Sequence, residues 1–247
     1  MRLFAEVADV YRRTKKPKDI LWNRFVARPL AAVLLVPIAK SRITPNQITF
    51  LSLFVFVASM GVLALERAPW GLLLAVLVLE LSYVLDCTDG QLARLRHQSS
   101  PVGAYLDFLM DELKAFLLVA ATGIRLWRAD GHELWLAESL LGLTVVAGAI
   151  SMTTFIRRPE YLQATGAARP TSAGDYGEGF SAETSAKRAS PIGLLEDVGR
   201  FLVHYPSYIV FIAIADQLDM FLHVYIGVNA AYAARSLLVV MVKLGRR

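Results

Sequence analysis

The sequence predicts an all-α, polytopic membrane protein, with six transmembrane helices preceded by an N-terminal amphipathic helix lying in the membrane interface. Three observations carry this expectation. Of the 247 residues, 55% are hydrophobic and the mean hydropathy is +0.47, too apolar for a soluble domain of this length. The apolar residues gather into six runs, near residues 48–66, 70–93, 104–124, 134–156, 201–217 and 221–242, each read as a crossing of roughly 30 Å of hydrocarbon. Basic residues flank these runs mostly on one side. Of the 26 Lys and Arg, 21 fall before the first run, in the 94–101 turn, in the 157–200 loop or after the last run, against Arg67, Arg125 and Arg128 in the opposite turns. Six crossings put both termini on one side, and retention of basic residues makes that side the cytoplasm.

Residues 1–43 form the expected cytoplasmic N-terminus, and residues 44–247 the six-helix transmembrane domain. Residues 1–17 are polar and basic. From Asp19 to Lys40 the pattern turns amphipathic, with Ile20, Leu21, Trp22, Phe25 and Val26 interrupted by Asn23, Arg24 and Arg28. Its apolar stretch, Ala31 to Ala39, is too short to span and contains Pro37, so a helix lying along the cytoplasmic leaflet is expected. Thr44-Pro45-Asn46 opens the first span, proline being tolerated in a first helical turn. The polar start argues against a cleavable signal peptide and leaves the first span as its own insertion signal. The one long polar interruption, about 159–199, is broken by Gly166, Gly174, Gly177, Gly179, Pro170 and Pro191; it is either a mobile lid or a disordered segment. Pro206 should kink the fifth span, and Trp70, Trp127 and Trp135 fall near span ends as an interface belt.

Several function classes are disfavoured. Cys87 is the single cysteine, which rules out an internal disulfide and the Cys-His spacing of a zinc site. No internal repeat, phosphate-binding Gly-Lys-Ser/Thr loop or dinucleotide glycine fingerprint occurs. The basic excess flanks spans instead of forming one face, which fits membrane lipid headgroups and not nucleic acid.

The chemistry is concentrated in Asp86-Cys-Thr-Asp89-Gly90-Gln-Leu-Ala93-Arg94 and in Gly103-x3-Asp107-x3-Asp111. Ionised groups at membrane depth are costly unless a cation, a partner or water compensates them. Asp86 and Asp89, three apart, share one helix face, and so do Asp107 and Asp111, four apart. Both pairs fall near the cytoplasmic ends of consecutive spans joined by a short turn, so the four carboxylates can converge on one site. Hard oxygen ligands of this kind suit Mg²⁺ or Mn²⁺ held between carboxylates and substrate phosphates. Gly90 and Gly103 leave backbone open to a closely approaching ligand and Ala93 keeps the aspartate face uncrowded. Arg94 either neutralises a phosphate or holds a carboxylate. The bland reading pairs the acids with Arg94, Arg96 or Lys114; Glu80, deep in the second span, is expected to pair with Lys114 or Arg235.

The pattern D-x2-D-G-x2-A-R-x8-G-x3-D-x3-D resembles the signature of the CDP-alcohol phosphotransferases (CDP-alcohol phosphatidyltransferases), with Asp86, Asp89, Gly90, Ala93, Arg94, Gly103, Asp107 and Asp111 at every fixed position. The resemblance covers roughly residues 18–158 well and the remainder weakly. It implies a six-helix homodimer in which Asp86, Asp89 and Asp107, with Asp111 beside them, bind metal and the CDP diphosphate. Asp111 would be the general base, taking a proton from an acceptor hydroxyl that attacks the β-phosphorus of a CDP-alcohol such as CDP-diacylglycerol, with CMP leaving. By the same likeness Asn46, Thr49, Ser99 and Ser100 line the nucleotide site or serve only as helix-start and turn residues.

The acceptor is expected to be a polar alcohol, inositol phosphate first and glycerol phosphate next. Arg157 and Arg158 follow the fourth span where similar phosphatidylinositol-phosphate and phosphatidylglycerol-phosphate synthases carry basic residues, although the surrounding string differs. They either bind the acceptor phosphate or anchor the span. Arg235 inside the sixth span either joins them or forms a structural ion pair. His204-Tyr205-Pro206-Ser207-Tyr208 adds polar groups that could shape the acceptor pocket. Two other readings are an ion or proton transporter with an aspartate relay, and a synthase of the same family making a soluble phosphodiester. Acids at span ends and halves unlike each other disfavour the transporter.

Overall fold

The computed structural model describes residues 2–16, 19–166 and 201–245, with the side chains of residues 2 and 3 excepted, and among them it is all-helical. Most of the expected 159–199 loop lies outside the described residues. Among the described residues, four helices are long and apolar enough to cross a membrane: α3 (Pro45–Leu65), α4 (Pro69–Leu95), α6 (Leu134–Ile156) and α9 (Leu218–Leu244). They match four of the six expected spans. Helix α5 (Pro101–Asp130) covers the third expected span over 30 residues. Its length, about 45 Å at 1.5 Å per residue, exceeds a bilayer core, but Asp107, Asp111, Glu112, Lys114, Arg125 and Arg128 keep it out of the strongly apolar group. The fifth expected span, 201–217, departs from a single helix: Pro206 lies in a 3₁₀ turn, Tyr205–Ser207, and only a seven-residue helix α8, Ile209–Ala215, follows. Proline removes a backbone donor and clashes with the preceding turn, and Asp216 ends α8 with φ of 51°.

The chain divides into two compact units. The first, Met1–Lys114 with Pro206–Ile214, is built on the hairpin of α3 and α4. The start of α3 forms as expected: the Thr44 hydroxyl accepts from the Gln47 amide while Gln47 Oε1 accepts from the Thr44 amide, and Pro45 occupies the first turn. This reciprocal cap satisfies two otherwise orphaned donors. Along the hairpin, Ser52, Ser59 and Ser82 are fully buried, Ser59 donating to the Ala75 carbonyl at 2.6 Å and Ser82 to the Ser52 carbonyl at 2.8 Å. Small hydroxyl residues let apolar helices approach closely while keeping their own polar groups satisfied.

The N-terminal segment is strapped to α4. Residues Arg2–Thr14 form helix α1, which the basic residues of this stretch concealed in the sequence; a π turn, Asn23–Ala27, then leads into α2, Arg28–Ile38. The π turn has a local reason: Pro29 cannot donate, and widening the preceding turn relieves the clash of its ring with the carbonyl four residues back. Tyr83 donates to Asn23 Oδ1 at 2.6 Å, Gln91 to the Arg28 carbonyl at 3.1 Å, and Trp22 Nε1 to Glu80 Oε2 at 3.3 Å. Glu80 is thus met by Trp22, in place of the expected Lys114 or Arg235. Arg28 is ion-paired with Asp19 in a buried contact. Ala27 and Ala31 pack on Val84 and Cys87, while Leu21, Phe25, Leu30 and Val33 of the same segment point outward, Leu21 and Phe25 being 70% and 68% exposed.

Arg96, just past α4, closes the arrangement by donating to the carbonyls of Ile38, Ala39, Ser41 and Ile43 at 2.6–3.4 Å. These include the last carbonyls of α2, which have no partners within the helix. Arg96 is therefore a helix-end clamp and does not pair with the aspartates.

The second unit, Ala115–Tyr205 with Ala215–Arg247, packs α6 on α9 and on the C-terminal half of α5. Two glycines permit close approach: a Cβ on Gly123 would lie 1.6 Å from Ser139 Oγ, and one on Gly142 2.8 Å from Ile226 Cδ1. At one end of this unit Asp130 accepts from Trp135 Nε1 at 2.8 Å, and His223 lies 3.0 Å from Glu138.

Candidate active site

The consecutive helices α4 and α5 belong to the first unit as far as Lys114, and that portion holds all four aspartates. Asp86 and Asp89 sit on the last turns of α4, Asp107 and Asp111 on the second and third turns of α5. Helical periodicity turns each pair toward one face, and the Gln98–Ser100 connection is short enough to bring the faces together. One carboxylate oxygen each from Asp86, Asp89 and Asp107 lies within 4.8 Å of the other two. Three like charges at such spacing repel strongly away from bulk water, and three convergent hard oxygens are a donor set suited to a divalent cation. The residues present therefore fit a metal ion.

Each member is held differently. Asp89 is buried and accepts from the Thr49 hydroxyl at 2.5 Å. Asp86 Oδ1 accepts from the buried ammonium of Lys114, with Ser52 Oγ at 3.4 Å. Asp111 is not part of the three-oxygen group: it lies 3.7 Å from Lys114 Nζ, and its side chain is 59% exposed.

Lys114, expected only as a structural partner of the acids, stands within the cluster itself. It follows Asp111 by three positions and Asp107 by seven, so the helical period that groups the aspartates also places Lys114 on their face.

Arg94 is engaged with the backbone of α1 and, among the described residues, not with a carboxylate. Its Nε donates to the Thr14 carbonyl at 2.9 Å, tying the end of α1 to α4, while its buried Nη2 has no hydrogen-bond partner. The guanidinium lies over Gly90, where an added Cβ would be 3.4 Å from Nη1. That is an ordinary van der Waals contact, so what Gly90 contributes is bare backbone. Ser100 Oγ accepts from the Gly103 amide at 3.1 Å at the start of α5, and a Cβ on Gly103 would meet Ser100 Oγ at 3.2 Å and approach Asn46 Oδ1 at 3.9 Å. Asn46 and Ser100 thus flank Gly103, with Ser99 exposed beside them and Ala93 half-buried one turn beyond Asp89. Arg157 caps the C-terminus of α6, Arg158 precedes α7 (Pro159–Thr165), and Arg235 lies on α9. These three belong to the second unit, and Asp86, Asp89, Asp107 and Asp111 to the first.

A helical membrane protein with a carboxylate cluster on two consecutive helices defines the class, and comparison with known proteins narrows it. The model of the CDP-alcohol phosphatidyltransferase family matches residues 42–173, and the chain belongs to that family. The family is described as one of CDP-alcohol phosphatidyltransferases. Relatives include proteins named bifunctional IPC transferase and DIPP synthase. The one from Aquifex aeolicus (strain VF5) is 27% identical over 126 residues, 50% of this chain and 28% of that protein. The one from Rubrobacter xylanophilus is 34% identical over 103 residues, 40% of this chain and 22% of that protein. The chain thus matches only about a quarter of the length of these relatives.

Proposed function

We propose that this enzyme transfers the phospho-alcohol group of a CDP-alcohol, CDP-diacylglycerol foremost, to the hydroxyl of a polar alcohol and releases CMP, as a step of phospholipid synthesis. The observation that carries the reading is the convergence of Asp86, Asp89 and Asp107 within 4.8 Å, with the exposed carboxylate of Asp111 one turn further along α5. Inositol phosphate is the favoured acceptor, a choice with which the names of the relatives agree coarsely.

Asp86, Asp89 and Asp107 would hold Mg²⁺ or Mn²⁺. When bound, the ion offsets the negative charge of the diphosphate and of the transition state. Asp89 is kept in place by the Thr49 hydroxyl and Asp86 by Lys114. Arg94, anchored through Nε to Thr14, offers its unpartnered Nη2 to a phosphate oxygen; a guanidinium already fixed at one end loses little entropy on binding. Gly90, Ala93 and Gly103 leave room for the donor, and Asn46, Thr49 and Ser99 lie toward the nucleotide. Asp111 accepts the proton of the acceptor hydroxyl. That oxygen bonds to the β-phosphorus, the bond from the β-phosphorus to the bridging oxygen breaks, and CMP departs with the electron pair.

The architecture in this reading has six crossings, with α5 as the third and the 201–217 region as the fifth, both termini and the site in the cytoplasm, and a homodimeric assembly. The outward Leu21, Phe25, Leu30 and Val33 then sit in the interfacial leaflet. The test is CMP release by the purified protein with CDP-diacylglycerol or a soluble CDP-alcohol as donor, against inositol phosphate, glycerol phosphate, inositol and serine as acceptors. The reading expects the greatest release with CDP-diacylglycerol and inositol phosphate. Release only with a soluble CDP-alcohol would point to a soluble phosphodiester product, and no release with any pair would refute the proposal.

A further inference from the structure

Lys114 brings to the cluster a cation that the chain itself supplies. Its ammonium is bonded to Asp86 Oδ1 and lies 3.7 Å from Asp111 Oδ1, so a positive charge already stands between these two carboxylates. The side chain is only 3% exposed. A buried ammonium that lost its carboxylate partners would be left unpaired at high cost, so Lys114 cannot simply withdraw as metal arrives. A second divalent ion beside it would meet like-charge repulsion at short range.

We infer that Lys114 substitutes for a second divalent ion, so that each chain holds one Mg²⁺ or Mn²⁺ on Asp86, Asp89 and Asp107 while Asp111 stays outside the coordination shell. The inference rests on the metal-dependent reading above and deepens it. Asp111 is tethered by an ammonium on one side and open to solvent on the other, which suits a carboxylate that must reach an acceptor hydroxyl instead of a metal.

The experiment counts bound metal and does not depend on turnover. Purified protein in detergent is titrated with Mn²⁺ at fixed pH in saturating CDP, and bound ions are counted by elemental analysis and by electron paramagnetic resonance. The expected result is one magnetically isolated Mn²⁺ per chain for the native protein and for Lys114→Arg. For Lys114→Ala and Lys114→Met, two spin-coupled ions are expected. Two ions per chain in the native protein, or a single ion in both neutral variants, would overturn the inference while leaving the metal-dependent reading intact. No uptake by the native protein would overturn both. Should Lys114→Ala fail to fold, Lys114→Met keeps the bulk of the side chain, and the native count decides on its own.

Discussion

At the scale of single residues, the site depends on carboxylates held by unlike partners, and each partner has its own measurable consequence. Asp111→Asn removes the proposed proton acceptor without touching the three-oxygen group; kcat should fall about 10²–10⁴-fold while CDP binding, followed by calorimetry, stays near the native value. Thr49→Val takes away the hydroxyl donated to buried Asp89. Loss of such an outer partner typically weakens metal binding about 10–100-fold, so Mn²⁺ affinity should drop by that order with helical content unchanged. The spacing of the four aspartates was legible because a period of 3.6 makes offsets of three and four adjacent. Lys114 obeys the same period but was hidden by its chemistry, since a lysine near acids first suggests an ordinary ion pair. That Arg94 is anchored to Thr14 depends on a contact 80 positions apart, which no local pattern announces.

At the scale of elements, the α4–α5 pair is useful only because its surroundings fix it. Arg96 gathers the carbonyls at the end of α2, and Arg96→Ala should destabilise the fold by about 1–3 kcal/mol, the usual cost of orphaning groups that had a charged partner. Faster amide exchange over 35–43 in that variant checks the point. In the second unit, Gly123→Ala puts a methyl where Ser139 already sits. Overpacking of this kind costs about 1–3 kcal/mol, and Ser139→Gly in the same chain should recover part of the lost thermal midpoint. Four long spans could be read directly from uninterrupted apolar runs. Helix α1 could not, because Arg12, Arg13, Lys15 and Lys16 mask a stripe at Phe4, Val7 and Tyr11, and its support is tertiary: Val10 packs on the cluster of Leu35, Ile48 and Leu92, and Thr14 is fully buried. The break at Tyr205–Ser207 was foreshadowed by Pro206 as a kink, yet composition alone made the region look continuous.

At the scale of the whole molecule, the proposed reaction brings a polar nucleotide and a membrane-borne product to one site, and the proposed topology puts that site at the cytoplasmic surface. Cys87, the one native thiol, is buried, so cysteines introduced singly can report sidedness. Gln98→Cys, in the turn between α4 and α5, should label from the cytoplasm, and His132→Cys, in the turn before α6, only from the opposite face; the reverse pattern would invert the topology. The central claim is that carboxylates on two consecutive helices cage a divalent cation for phosphoryl transfer from a CDP-alcohol. Its most direct test is CMP release from CDP-diacylglycerol and inositol phosphate by purified protein, measured with Mg²⁺ and again after chelation. The account predicts release that stops on chelation and returns on adding Mg²⁺ or Mn²⁺; release that continues undiminished without metal would contradict it.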